Sequence, residues 1–275
     1  MNLAGKTILI TGSTDGVGRM VAERLAADGA HVLVHGRDRK RGESLVAAIE
    51  KAGKGKATLT IADLSSMGEV RRLAKAVLAD NSHIDVLINN AGIGFAPAGR
   101  HVTADGYELR FAVNYLAGFL LTHLLLPTLR ASAPSRIVNV ASLGQSPVDF
   151  DDVMMEKNWQ GERDAYTQSK LAQIMFTFSL AEELAGTGVT VTAVHPASFM
   201  ATGMVLNAGI EPLTTVEEGA EAILAVAVGA EHAKTTGKFF NGLKEARANG
   251  QAYDKAARDR LWALSLKLTG LEEPT

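Results

Sequence analysis

Apolar and β-branched residues gather in short runs at 7–11, 31–35, 57–62, 85–90, 136–141 and 189–195. Between these runs, apolar positions recur three and four residues apart over about 17–28, 39–52, 66–79, 107–130 and 167–185. Short runs of this kind read as strands, and a spacing near 3.6 reads as helices. Strands that alternate with helices predict an α/β fold in which a parallel sheet is covered on both faces. Punctuation agrees: Gly29 follows the first helical pattern, Asp63 precedes Ser65 and Ser66 at the start of the third, and Gly186-Thr187-Gly188 separates a helix from a strand. Neither a linker nor a repeat divides the chain. Residues 1–275 are therefore expected to form a single domain, its later segments extending one doubly wound sheet of about seven strands. Ligands of such sheets bind beyond the carboxyl ends of the strands.

The strand ends carry the chemistry. The first run, Thr7-Ile8-Leu9-Ile10, leads into Thr11-Gly12-Ser13-Thr14-Asp15-Gly16-Val17-Gly18 and then into a helix. Glycines 12, 16 and 18, with the main chain of Ser13, Thr14 and Val17, would let N–H groups approach a pyrophosphate at a helix N-terminus, as in a Rossmann-type fold. An ordinary glycine-rich turn has the same local pattern. After the second run come Gly36 and Arg37, then Arg39, Lys40 and Arg41 at a helix start, where cations oppose the macrodipole. A bound 2′-phosphate would relieve that conflict, which favours NADP(H) over NAD(H). A solvated basic first turn capped by Asp38 is the alternative. Asp63 can accept from an adenine amino group, with Leu64 covering the ring, or can cap the following turn. In Asn89-Asn90-Ala91-Gly92, small residues let the chain pass close to a cofactor, and the amides tie neighbouring strand ends together.

Composition narrows the class. Lys and Arg total 28 against 30 Asp and Glu, a formal charge of −2, so no global charge points to nucleic acid or an anionic membrane. The longest greasy stretch, 116–129, is interrupted by His123 and Pro127, and no insertion into a bilayer is expected. Cysteine is absent, which removes disulfides and thiolate chemistry and fits a cytoplasmic protein. His31 and His35 share a strand face without a third ligand, so they are expected to be sheet-surface residues and no metal site is expected.

Tyr166 and Lys170, four apart, fall on one face of a helix. A tyrosine hydroxyl titrates near pH ~10, too high for efficient proton exchange at neutrality. A nearby ammonium and a positive cofactor ring would lower it. Ser142 ends the fifth run, where its hydroxyl can reach a substrate oxygen. Each feature alone has a structural reading: an amphipathic pair, a cap, a locally bonded Asn114.

The ordered set resembles the short-chain dehydrogenase/reductase family over roughly residues 4 to 242. The resemblance rests on Thr11-Gly-x-x-x-Gly16-x-Gly18, Asp63, Asn89-Asn-Ala-Gly92, Asn114, Ser142 and Tyr166-Thr-Gln-Ser-Lys170. Thr103-Ala-Asp-Gly-Tyr-Glu, Phe111-Ala-Val-Asn and Ser135-Arg-Ile-Val-Asn-Val look most like the family's retinol-dehydrogenase and protochlorophyllide-reductase-like members. The resemblance implies that Tyr166 exchanges a proton with a carbonyl or carbinol oxygen, that Ser142 orients it, that Lys170 also holds the nicotinamide ribose, and that Asn114 completes a relay through water. It implies a ketone or aldehyde reductase or an alcohol dehydrogenase. It places Pro196 and Thr202 at the nicotinamide, although Ala197 stands where the family has Gly and Thr202 comes one place late. A non-catalytic dinucleotide-binding regulator and an epimerase or dehydratase are the alternatives; the intact Asn114, Ser142, Tyr166 and Lys170 disfavour the first.

Two segments are read as pocket walls: a rim or lid at 143–165 with Phe150, Met154 and Trp159, and 197–213 with Phe199 and Met204. Met-rich apolar walls suit an adaptable, medium-sized apolar carbonyl or alcohol. The helices at 116–129 and 171–184 imply, by the same resemblance, subunit contacts in a homodimer or homotetramer. The tail 245–275 reads as a helix over the pocket, a partner subunit or the surface.

Overall fold

The computed structural model describes residues 2–272. One sheet runs through it in the order β3-β2-β1-β4-β5-β6-β7-β8. The strands are β1 (Thr7–Ile10), β2 (His31–Gly36), β3 (Lys56–Ile61), β4 (Val86–Asn89), β5 (Ser135–Val140), β6 (Val189–His195), β7 (Lys238–Asn241) and β8 (Lys244–Ala246). All neighbours are parallel except the last pair. The sheet therefore has eight strands rather than about seven. β8 returns antiparallel through the two-residue turn Gly242-Leu243, with Gly242 at φ +59°.

Helices α1 (Gly16–Ala27), α2 (Arg39–Ala52) and α7 (Val216–Val228) accompany one apolar layer, built on Ile8, Ile10, Val32, Val138 and Ile223. The other layer is larger and joins α3 (Met67–Asp80), α4 (Ala117–Ala131) and α5 (Glu162–Glu183) through Leu73, Phe119, Leu125, Met175 and Leu180. Each such fully buried aliphatic or aromatic side chain contributes about 1.5–3 kcal/mol relative to exposure. Asp38 caps α2 by accepting from the Arg41 amide, as the alternative reading of that turn has it, and α3 is capped by Ser66, which accepts from the Glu69 amide. Residues 111–131 are long and apolar enough to cross a membrane by length and composition, with mean hydropathy 1.4, but two thirds of that stretch is buried here as a core helix.

The last helix, α8 (Lys255–Thr269), lies on α4 and α5 of its own chain. Trp262 meets Phe119, His123 and Phe176 with ring centroids 5.1–5.9 Å apart. Tyr115 and Ser265 share a buried hydrogen bond of 2.7 Å. Helices α4 and α5 thus carry α8 of the same chain on part of their surface.

Candidate active site

The glycine loop leaves β1 with little room to spare. Gly12 has φ +65°, and a Cβ there would lie 2.8 Å from Ala91 Cα. At Gly18 a Cβ would come within 2.4 Å of both Gly12 O and Asn90 Nδ2. These missing side chains create a backbone cradle ahead of α1, whose N-cap is Asp15. Opposite it, Thr202 begins the short helix α6 (Gly203–Leu206), and the groove between the two sides, about 440 Å³, also reaches Thr214 and Thr215. Thr11 Oγ1 binds the cradle to β4 by accepting from the Asn90 and Ala91 amides, each at 3.0 Å. The Asn90 amide returns to Thr11 O at 2.8 Å. Buried Asn89 donates to Asn139 on β5 at 2.9 Å, so the amides do tie strand ends together.

His35 is not the surface residue expected from its alternation. It is buried; its Nδ1 accepts from the Gly12 amide at 3.1 Å, and its Nε2 faces Ala62 O at 3.1 Å. Ser13 Oγ accepts from the His35 amide at 3.0 Å, so this pair bolts the glycine loop to β2. Burial pulls the imidazole down to about 4, which keeps Nδ1 free to accept. His31 instead pairs with Thr58 on the neighbouring strand. Among the described residues no three His, Cys, Asp or Glu converge as metal ligands.

At the end of β2 the basic residues are unequal. Arg41 is held 2.6 Å from Asp15 and 3.7 Å from Asp38, and Arg39 lies 3.6 Å from Glu43. Arg37 is exposed and forms no ion pair among the described residues. Gly36 lets Thr14 pack directly on the strand, since a Cβ would meet it at 2.5 Å. Asp63 is exposed and accepts from the Ser65 amide at 2.9 Å. Leu64, expected to cover a ring, is buried in the larger apolar layer instead.

The candidate acid/base group sits where β4, β5 and α5 meet. Helix α5 begins at Glu162, five residues before its predicted start, so Tyr166 and Lys170 lie within regular helix. Lys170 is 4% exposed and donates to Val140 O at 2.9 Å and Gln173 Oε1 at 3.0 Å. Its Nζ is 5.6 Å from the Tyr166 ring centre. Burial pulls the ammonium down to about 7, and burial also raises the Tyr166 hydroxyl, against a hydrogen bond with Ser142 that lowers it. In the protein by itself the tyrosine is thus shifted upward, because desolvation outweighs the Ser142 hydrogen bond. Buried His195, pulled down to about 4 by burial and by Lys170, adds no positive charge nearby.

Asn114 belongs to a π-helical turn, Phe111–Leu116, that leads into α4. Its Oδ1 accepts from the Ile93 amide at 2.8 Å, and its Nδ2 donates to Ile93 O and Ser169 Oγ. A Cβ on Gly92 would lie 3.4 Å from Asn114 Oδ1 and 3.5 Å from Lys170 Nζ, so this glycine stands between the two. Gly144 similarly abuts Ser142 and Tyr166. Side chains from three separate segments therefore converge: Asn114, Ser142, and Tyr166 with Lys170.

The rim differs from the sequence reading. The 143–155 segment is stapled rather than lid-like: Gln168 binds the Asp149 amide and Val153 O, and Gln251 binds both main-chain groups of Val148. Phe150 packs under Arg260, and both Phe150 and Met154 lie partly buried against the larger apolar layer. Trp159 is half-buried on the following loop. Phe199, at φ +48°, and Met204 are 43% and 40% exposed on the segment after β6. The positive φ that Ala197 avoids falls on Phe199 instead. Pro196 is buried at the end of β6.

Residues 6–213 match the family model described as short chain dehydrogenase. Human retinol dehydrogenase 13 is 36% identical over 99% of this chain and 87% of its own length, and human retinol dehydrogenase 11 is 38% identical over 98% and 88%. Among solved structures, an uncharacterized protein from Mycobacterium paratuberculosis superposes with a TM-score of 0.82 at 30% identity, covering 100% of this chain and 97% of that one. A short chain dehydrogenase from Burkholderia cenocepacia in complex with NADP gives 0.70 at 30% identity, covering 92% and 100%.

Proposed function

The chain belongs to the short-chain dehydrogenase/reductase family, as an NAD(P)-dependent oxidoreductase of its retinol-dehydrogenase-like type, and from this premise we propose that it is an NADP(H)-dependent carbonyl reductase or alcohol dehydrogenase. Its substrate is an apolar, medium-sized carbonyl or secondary alcohol, and its working direction in an NADPH-rich cytoplasm is reduction. The convergence of Asn114, Ser142, Tyr166 and Lys170 around Gly92 and Gly144 carries this reading. The apolar residues near the site support the substrate class, as does the apolar alcohol in the relatives' name.

When bound, the nicotinamide supplies or accepts the hydride. The chain does the rest. Gly12, Gly16 and Gly18 open the main chain to the pyrophosphate, with Ser13, Thr14, Val17 and Ala91 around it. Pro196 and Thr202 border the nicotinamide side, and Asn90 and Asp63 hold the loops at the strand ends. Ser142 orients the substrate oxygen, and Tyr166 delivers its hydroxyl proton to that oxygen during reduction. Lys170 stabilises the resulting tyrosinate, and Asn114 holds the main chain of Ile93 beside it.

Arg37 is the group proposed to meet the 2′-phosphate, because Arg41 and Arg39 are already engaged by carboxylates. Arg37→Ala is expected to raise KM for NADPH by about 10–100-fold, the loss of a charge-assisted contact, while changing KM for NADH less than about threefold. Equal effects on both cofactors would overturn the assignment.

A pH dependence follows from Lys170. Its ammonium, held down to about 7 by burial, is present below that pH and lost as pH rises through it. Since Tyr166 stays protonated over that range and the ammonium stabilises charge left on its oxygen, kcat/KM for reduction should fall above an apparent pKa near 7. A pH–rate profile that is flat to about pH 9 would contradict this.

A further inference from the structure

Arg110 is fully buried, yet the chemistry described above gives it no part. Its guanidinium donates to three carbonyls of the segment leaving β4: Gly94 O at 2.9 Å, Phe95 O at 2.8 Å and Pro97 O at 2.6 Å. Buried Glu108 lies 3.5 Å from it and caps the Phe111 amide at 2.8 Å, which balances the charge. Two further side chains hold the same segment. Asn114 binds both main-chain groups of Ile93, and the Glu162 carboxylate at the start of α5 accepts from the Gly99 amide. A loop would ordinarily be free to move at this position; here its main chain is gripped by a planar five-donor group that lysine cannot imitate.

What the grip presents is Phe95. Its ring stands edge-on to Tyr166, with centroids 5.6 Å apart and planes at 76°. Beside it, Gly94 admits Met204 from across the site: a Cβ there would be 2.7 Å from Met204 Cγ. Leu143, directly after Ser142, is 45% exposed. No charged side chain is among Phe95, Met204 and Leu143, and a half-buried aromatic ring beside a proton donor is a contact surface for an apolar group.

We infer that Phe95 is a specificity-determining residue that touches the substrate next to Tyr166, and that Arg110 is the buried positioning residue that sets its ring in place. This rests on Tyr166 being the proton donor of the reaction. The discriminating quantity is the ratio of kcat/KM for a bulky apolar ketone, cyclohexyl phenyl ketone, to kcat/KM for a small aldehyde, propanal, both with NADPH. Phe95→Ala should lower this ratio about tenfold, as expected when one wall of an apolar pocket is removed. Phe95→Leu should keep it within about threefold of wild type.

Arg110→Lys should lower the ratio in the same direction, and the double variant Arg110→Lys/Phe95→Ala should fall no further than Phe95→Ala alone, because the arginine acts through the ring. A ratio unchanged within twofold in Phe95→Ala would overturn the role of Phe95. An additive loss in the double variant would overturn that of Arg110. If Arg110→Lys does not fold, the two Phe95 variants still decide the specificity claim, since that position is only half-buried. Wild-type protein that binds NADPH but reduces neither carbonyl would sink the reductase reading together with this inference. Turnover in the wild type with no change of ratio would sink the inference alone.

Discussion

Tyr166→Phe is expected to lower kcat/KM for carbonyl reduction by about 10²–10⁴-fold, the range in which a positioned acid or base contributes, or roughly 3–5 kcal/mol of barrier. The substitution removes one oxygen and keeps the ring. Phe95 retains its edge-on partner, and the packing of Gly144 on the ring is unaltered. Burial raises the Tyr166 hydroxyl, so at neutral pH it is protonated and ready to donate, whereas Lys170 donates to Val140 O and Gln173. Cofactor affinity should stay within about threefold, measured by quenching or enhancement of NADPH fluorescence. Steady-state assays in which the variant retains more than about a tenth of wild-type activity would place the proton elsewhere.

Gly12→Ala is expected to damage stability and binding together. The new Cβ would demand φ +65° of an alanine, costing about 1–3 kcal/mol. It would also meet Ala91 Cα at 2.8 Å, a contact with main chain that cannot rotate away, at a further cost of about 1–3 kcal/mol. The sum corresponds to a fall in Tm of roughly 5–15 °C for a chain of this size. The shift cannot stay local, because the Gly12 amide is the donor to His35 Nδ1 and the Gly12 carbonyl receives Asn90 Nδ2. NADPH affinity should drop by at least about tenfold, through distortion of the cradle rather than loss of a side-chain contact. A thermal-shift trace within about 2 °C of wild type, together with unchanged NADPH titration, would show that the loop is not built this way.

Much of the fold and site is legible in the sequence. Local signals survive into the structure where one segment determines its own state: the strand runs, the caps at Asp38 and Ser66, and the glycine-to-helix turn. The site residues were legible because they end strands, and a parallel sheet brings all its carboxyl ends to one edge. What stayed hidden depends on partners far along the chain. His35 alternates like a surface residue, and only the arrival of Gly12 and Ala62 makes its burial tolerable, by satisfying both ring nitrogens. Arg110 reads as one more helix-start cation until its three carbonyl acceptors fold over it. Phe150 and Met154 carry the apolar character of a pocket wall, but Gln168 and Gln251 turn their segment onto the core instead. Sequence spacing supplies the ammonium beside Tyr166 but not the burial that pulls Lys170 down to about 7 and raises the tyrosine hydroxyl in the protein by itself.

The central claim is hydride transfer from NADPH to a carbonyl carbon with Tyr166 supplying the proton. NADPH carrying deuterium in place of both hydrogens at nicotinamide C4 should be incubated with a panel of apolar ketones and aldehydes, and the products analysed by mass spectrometry, with Tyr166→Phe in parallel. An alcohol with one deuterium on the carbinol carbon is expected for each NADPH oxidised, with near-absence of that product in the variant. Protein that binds NADPH and yields no deuterated alcohol from any member of the panel, or a Tyr166→Phe variant that yields as much as wild type, would contradict it.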